Sequence, residues 1–283
     1  MIRKPTFLYA GTAKAGSSWL YETLLEHPEV FIPDAKDIMF FSKEYNRGLE
    51  WYYNFFKVNH SYKAYGEICH DYYLKKAFAE RIHAHLPEVQ LIFCLREPVD
   101  WTVSAQTFMS AAVNTSNDFL EFLNQNSYTP EIKWGDYLNY YENLKHFYLL
   151  FPRENILILF YDQLKLNSLN FICEIFSFIG VNEDFIPSMV NTKINPSHEA
   201  RNQMIGHLAY KSARVTRCLG MQNFLGRMKR NRLINRCLYR NTTNRNVEMD
   251  EETTERIYER YAAQYHSLEK LIDKELPQSW YRR

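Results

Sequence analysis

Residues 6–25 read TFLYAGTAKAGSSWLYETLL, and the change of period inside this stretch decides the fold. Thr6 to Ala10 is a short apolar run that stops at Gly11, the pattern of a buried strand. Ser17 to Leu25 then sets Leu20, Leu24 and Leu25 on one side of a helix, with Ser17 or Ser18 as N-cap and His27-Pro28 as the stop. Between them lies a loop holding Gly11, Lys14 and Gly16. A glycine-containing turn that runs into a helix exposes backbone N–H groups at the positive end of that helix. The loop is therefore expected to cradle an anion, with Lys14 adding a full charge and the two serines hydroxyl donors. The bland alternative is a tight strand-to-helix turn with an exposed lysine.

The same alternation recurs downstream. Val89 to Leu95 is a buried strand stopped by Arg96-Glu97-Pro98, and Val99 to Met109 reads as a helix whose first turn suits Pro98. Asn155 to Phe160 is a third apolar strand, followed by a helix over Ser168 to Ile179 that ends at Gly180. Apolar strands alternating with helices imply an α/β fold: a mostly parallel central sheet flanked by helices. Asp136 to Leu150 and Glu251 to Ile272 also carry helical periodicity, the latter with the interleaved charges of a solvated face. There is no internal repeat or linker, so residues 1–283 read as one domain.

Composition excludes several classes. Apolar residues make up 46% and charged residues 24%, so the chain is not disordered; nine Gly and ten Pro are too few for a collagen-like or low-complexity sequence. The five cysteines are scattered without a C-x-x-C pair, which fits free thiols in a reducing compartment rather than disulfides or zinc. His83 and His85 sit two apart on an expected helix, hence on different faces, and no H-E-x-x-H occurs, so no metal site is expected. No apolar run is long enough to span a bilayer and no signal peptide is legible, so the reading is a soluble, cytoplasmic protein. The net charge of +1 gives no reason to expect a nucleic-acid partner, but it is unevenly spread. Arg201 to Val247 holds eleven Lys or Arg and no acid, leaving −10 on the rest. This basic stretch reads as a solvated face, a lid over an anion, or a surface for an anionic acceptor or membrane.

Spacing narrows the chemistry of the first loop. A Walker A loop runs G-x-x-x-x-G-K-[ST]. Gly11 and Gly16 keep that spacing, yet Ser17 stands in the lysine slot and the lysine lies two residues before Gly16. At the end of the second strand Arg96 stands where an Asp would hold Mg²⁺. Fixed cations replace the metal in this reading.

Lys14-Ala15-Gly16-Ser17-Ser18-Trp19-Leu20 resembles the 5′-phosphosulfate loop, close to P-K-S-G-T-T-W-L, of sulfotransferases that use 3′-phosphoadenosine 5′-phosphosulfate (PAPS). Arg96-Glu97-Pro98 and Ser104, eight residues after the arginine, resemble that family's second motif, with Glu97 for Asp. Further segments are similar to the heparan-type and bacterial branch. They are Leu25 to Val30 (LEHPEV), Lys36 to Phe41 (KDIMFF), Gly48 to Tyr52 (GLEWY), Tyr161 to Leu164 (YDQL), Phe178 to Val181 (FIGV) and a C-terminal helix ending in Trp280. The resemblance covers nearly the whole chain except about residues 205–245, a basic, variable lid or acceptor region, and implies a P-loop-like sulfotransferase fold.

It also implies roles. Lys14, with Ala15, Gly16, Ser17, Ser18 and Trp19, would hold the 5′-phosphosulfate, and Lys14 would neutralise the bridging oxygen as its bond breaks. Arg96 and Ser104 would bind the 3′-phosphate, for which a guanidinium fork is suited. Lys193, Asn195 and Arg201 lie where the family places a loop over that phosphate. Two residues compete as base. Asp37 aligns with the catalytic Glu of the heparan-type branch but is one methylene shorter. His70, in Gly66 to Tyr72 (GEICHDY), fits the His of a K-T-H segment in cytosolic sulfotransferases, with Ile68 replacing the Lys, and imidazole suits proton abstraction near pH 7. Glu67 would orient either one. Tyr45 to Phe56 would supply core or acceptor-pocket wall. The expected reaction is sulfo transfer from PAPS to a hydroxyl or amine of a saccharide or small natural product, releasing adenosine 3′,5′-bisphosphate (PAP). A homodimer stays open. The rival readings are a P-loop phosphotransferase and a non-catalytic protein that binds anionic glycans.

Overall fold

The computed structural model describes residues 2–110, 116–127, 131–191, 197–200, 239–242 and 249–281, with positions 216, 223 and 228. Five parallel strands form the central sheet in the order β2-β3-β1-β4-β5: β1 Phe7–Gly11, β2 Val30–Phe31, β3 Ala64–Ile68, β4 Gln90–Leu95 and β5 Ile156–Phe160. The register pairs Leu8 with Glu67 on one side of β1 and with Leu91 on the other. These strands are almost wholly buried, which is why they read as continuous apolar runs rather than alternating ones.

Side chains still alternate by face. Leu8, Ala10, Leu91, Phe93 and Leu95 join one core, and Phe7, Tyr9, Ile92 and Cys94 the other. Each such large apolar side chain contributes about 1.5–3 kcal/mol on burial. The first core is covered by α2 (Leu49–Tyr53), α3 (Lys76–His85), α4 (Pro98–Ser110), α5 (Phe119–Asn124), α6 (Tyr140–Leu150) and two C-terminal helices, Glu251–Ala262 and Tyr265–Ile272; the second by α1 (Ser17–Glu26) and the helix Ser168–Ile179. Trp280, fully buried, closes the first core against Tyr140, Phe160 and Tyr265.

Two sequence expectations change, and one strand was not expected. The helix expected over Asp136 to Leu150 breaks at Asn139 into a 3₁₀ turn, Trp134–Leu138, and α6. The long C-terminal helix is two helices, because the chain turns at residues 263–264. Strand β3 occupies Ala64–Ile68, where Tyr, Gly and Glu disguise a buried strand: Gly66 leaves room for the Phe7 ring, which would lie 2.0 Å from an added Cβ. Beyond the sheet, Ser197–Ala200 pairs antiparallel with Tyr239–Thr242.

Candidate active site

Parallel strands present all their C-terminal ends at one edge, and the strand order reverses direction around β1, where α/β sheets open a crevice. Lys14 follows β1, His70 and Asp71 follow β3, and Arg96 follows β4. The first loop does not use a serine cap. Gly16 is the N-cap of α1, at φ 90°, so Ser17 and Ser18 are the first helical residues. This corrects the expected cap, and it leaves the first-turn N–H groups without intrahelical acceptors. An added Cβ on Gly16 would meet Leu164 Cδ2 at 2.6 Å, so the loop lies hard against the segment after β5.

Lys14 is itself left-handed, at φ 60°, a conformation that non-glycine residues hold only where the surroundings dictate it. Its ammonium lies 4.0 Å from the centre of the Phe108 ring, and that ring is half exposed. Burial, then the nearby Arg96 and Lys36 charges, push the Lys14 pKa down to about 7. Its carbonyl accepts a hydrogen bond from Arg96 Nη1 at 2.9 Å. The Arg96 guanidinium lies over Tyr161, 4.5 Å from the ring centre, and its Nε is buried with no partner among the described residues. Glu97 caps α4 by accepting from the Asp100 N–H at 2.6 Å, and Ser104 lies half-buried two turns into that helix. Trp19 turns its ring into the core, where Nε1 donates to the Met189 carbonyl at 3.1 Å. Ala15 is buried. Lys193, Asn195, Arg201 and most of the basic stretch lie outside the described residues.

The second half of the site is built from charges that answer one another. Asp37 is left-handed at φ 58°, and its N–H is tied to the Ile68 carbonyl at the end of β3 (3.0 Å). Its carboxylate meets Lys36 Nζ at 3.1 Å and His70 Nδ1 at 2.7 Å. His70 Nε2 lies 3.1 Å from the fully buried carboxylate of Asp71. Burial opposes charge on His70, but Asp37 and Asp71 outweigh it and push its pKa up to about 9. Burial likewise opposes the Asp37 carboxylate, yet His70 and Lys36 hold it well below the usual range. The two base candidates are thus one ion pair, with the proton on the histidine.

Glu67 lies beneath this pair, fully buried, accepting from Tyr52 at 2.7 Å and Tyr72 at 2.8 Å. Burial is the main cause that lifts it to about 7. Tyr72 also accepts the Phe40 N–H at 2.9 Å, so Glu67 braces the turn that carries Asp37. Tyr52, Phe55 and Phe56 are core, with Tyr52 stacked on Phe40. Sequence reasoning missed Asp71, Tyr137 and Phe108. Asp71 adjoins His70, but nothing in the local pattern says that its side chain turns back to it.

A family model described as a sulfotransferase domain matches residues 4–280. The chain belongs to the sulfotransferase family. It is 33% identical over 107 residues to the membrane-associated sulfotransferase kil1 of Dictyostelium discoideum, covering 37% of this chain and 23% of that protein. It is 34% identical over 107 residues to human heparan sulfate glucosamine 3-O-sulfotransferase 6, covering 37% of this chain and 31% of that one. The chain therefore matches less than a third of the length of either relative. A sulfotransferase from Alicyclobacillus acidocaldarius superposes with a TM-score of 0.73 over 99% of this chain and 100% of its own, at 20% identity. A mouse sulfotransferase complexed with PAP superposes at 0.53 over 96% of this chain and 89% of its own, at 15% identity. The fold is thus the P-loop-like fold of sulfotransferases. Among the described residues no helix is long and apolar enough to cross a membrane.

Proposed function

We propose that this enzyme transfers a sulfo group from PAPS to a hydroxyl or amine of a saccharide or small natural product, with Asp37 as base. The observation that carries this reading is the placement of two unlike charge sets at adjacent strand ends. Lys14 and the Arg96 Nε, which has no partner among the described residues, form a cationic half that fits an anionic nucleotide. The ionised Asp37, held by Lys36 and His70, forms the half that takes a proton once attack on sulfur has made the acceptor's proton strongly acidic. A mouse neighbour complexed with PAP and a relative named for a saccharide support donor and acceptor respectively.

In the reaction the acceptor oxygen bonds to sulfur, the bridging S–O bond to the 5′-phosphate breaks, the hydroxyl proton passes to Asp37, and PAP leaves. Lys14 faces the negative charge that grows on the bridging oxygen, the kind of fixed charge that usually contributes most to catalysis. Its depressed pKa leaves it half-charged near pH 7 before the donor arrives, and an anion draws the proton back. The first-turn N–H groups of α1 and Ser17 and Ser18 hold the same end of the donor. Arg96, with Ser104, Lys193 and Arg201, holds the 3′-phosphate. His70, already protonated, keeps Asp37 ionised.

Mass spectrometry of saccharide, amine and phenolic acceptors incubated with PAPS tests this directly. The expected product carries one added sulfo group, and Asp37→Asn loses about a hundredfold or more in kcat/KM. Tighter binding of ATP with Mg²⁺ than of PAP, or an Asp37→Asn variant at full rate, overturns the reading.

A further inference from the structure

His70 is held on both ring nitrogens by carboxylates, at 2.7 Å from Asp37 Oδ1 and 3.1 Å from Asp71 Oδ1. A neutral imidazole has one N–H and can donate to only one of them. Two ionised carboxylates on the two nitrogens require both N–H groups, and therefore an imidazolium. Asp71 is 0% exposed, and the oxygen that meets His70 also accepts the Tyr137 hydroxyl at 2.7 Å. Such a carboxylate cannot swing away to water. It is ordered by a residue from a different part of the chain, in the 3₁₀ turn before α6.

Tyr137 ties this carboxylate to the donor loop as well. Its ring stacks on Trp101, with centres 5.6 Å apart, and Trp101 Nε1 donates to the Ala13 carbonyl at 2.7 Å. Its own carbonyl accepts from Tyr73, whose hydroxyl also meets Thr12 Oγ1 at 2.6 Å. The groups facing the histidine and its two carboxylates are few. Lys36 sits on Asp37, Lys43 acts on Asp71 from the turn after Phe41, and Tyr137 and Tyr73 lie on the α6 side. Cys69 and Glu67 lie beneath, and burial holds both toward their neutral forms. None of these replaces Asp71 as the second partner of the ring.

We propose that Asp71 is a positioning residue that locks His70 as an imidazolium bridge, so that Asp37 faces the acceptor as an ionised carboxylate and His70 takes no proton. The inference rests on the reading of Asp37 as base, but its first test does not need turnover. In the full chain with labelled histidine, nitrogen NMR should show both ring nitrogens of His70 protonated from pH 6 to 8, with loss of a proton near pH 9. In Asp71→Asn that loss should move down by about one unit or more, since a charged partner has become neutral. The alkaline limb of kcat/KM for the acceptor, read at saturating PAPS where the bound anion keeps Lys14 charged, should move with it, at unchanged KM for PAPS. A purely structural role would lower the amount of folded enzyme and leave the limb in place. A wild-type His70 with one bare nitrogen at pH 7 overturns the proposal whether or not Asp71→Asn folds, and so does an unmoved His70 titration in that variant. If the bridge is seen by NMR while Asp37→Asn retains full activity, the bridge stands and the assignment of the base fails.

Discussion

The two halves of the cleft handle charge in opposite ways. On the donor side, Lys14 lies against the Phe108 ring with Arg96 near enough to depress it, Arg96 lies on Tyr161 with Asp100 no closer than 3.9 Å, and its Nε has no partner among the described residues. On the acceptor side each charge has its counter-charge within 3.1 Å. On the proposed reading, the half that binds the donor keeps its cations loosely met so that a ligand completes them, whereas the half that handles the proton keeps each charge closely met so that protonation states stay fixed until the substrate arrives.

Removing the lysine should break this comparison most visibly. Lys14→Ala is expected to slow kcat roughly a hundredfold or more, a larger effect than its loss of PAPS affinity, because the charge it faces grows in the transition state. A raised KM at normal kcat would make the donor half a holding device only. Next, Arg96→Ala should weaken PAP binding by about 2–4 kcal/mol, with a smaller loss for adenosine 5′-monophosphate, which lacks the 3′-phosphate. Calorimetry with the two nucleotides separates them, and an equal loss for both would move Arg96 out of 3′-phosphate recognition.

The donor half should also be sensitive to pH. Lys14 is lowered to about 7 in the free chain and is drawn upward by an anion, so binding takes up a proton above pH 7. PAP affinity should fall roughly five- to tenfold between pH 7 and 9, where the phosphates no longer titrate, and the slope should vanish in Lys14→Ala. The smallest effect is a stability one. The folded pKa of Glu67 is raised to about 7 from 4.5, so its contribution is full below the unfolded value and is lost as the pH rises through 7. Glu67→Gln removes that loss. It should melt close to the wild type at pH 5 and be more stable by about 1–3 kcal/mol at pH 8, read by thermal unfolding. Equal melting at both pH values would place the Glu67 proton elsewhere.

What was legible in the sequence follows the same division. The donor loop is local: Gly11, Lys14, Gly16 and a helix start lie within a few residues, and backbone geometry alone gives the cradle. The strands around it announce themselves because burial on both faces leaves no alternation to read. The acceptor half is assembled from residues 33 and 34 positions apart, whose pairing depends on where β3 ends and how the turn at Asp37 bends. Local pattern could nominate His70 and Asp37 as rivals but could not show that they share a proton. Strand β3 was hidden for a related reason. Its Gly66 and Glu67 look like loop residues until Phe7, Tyr52 and Tyr72 are seen to fill and satisfy the space around them.

One side chain joins the two ends of the donor cleft. Arg96 clasps the carbonyl of Lys14 while its guanidinium lies on Tyr161. A substitution there reaches the lysine as well as the nucleotide, so the two traits cannot drift separately. A lineage that relaxed its preference among nucleotides by changing position 96 would at the same step disturb the backbone turn that aims its catalytic cation. On the roles proposed above, a change at position 96 that altered nucleotide preference would register in turnover as well.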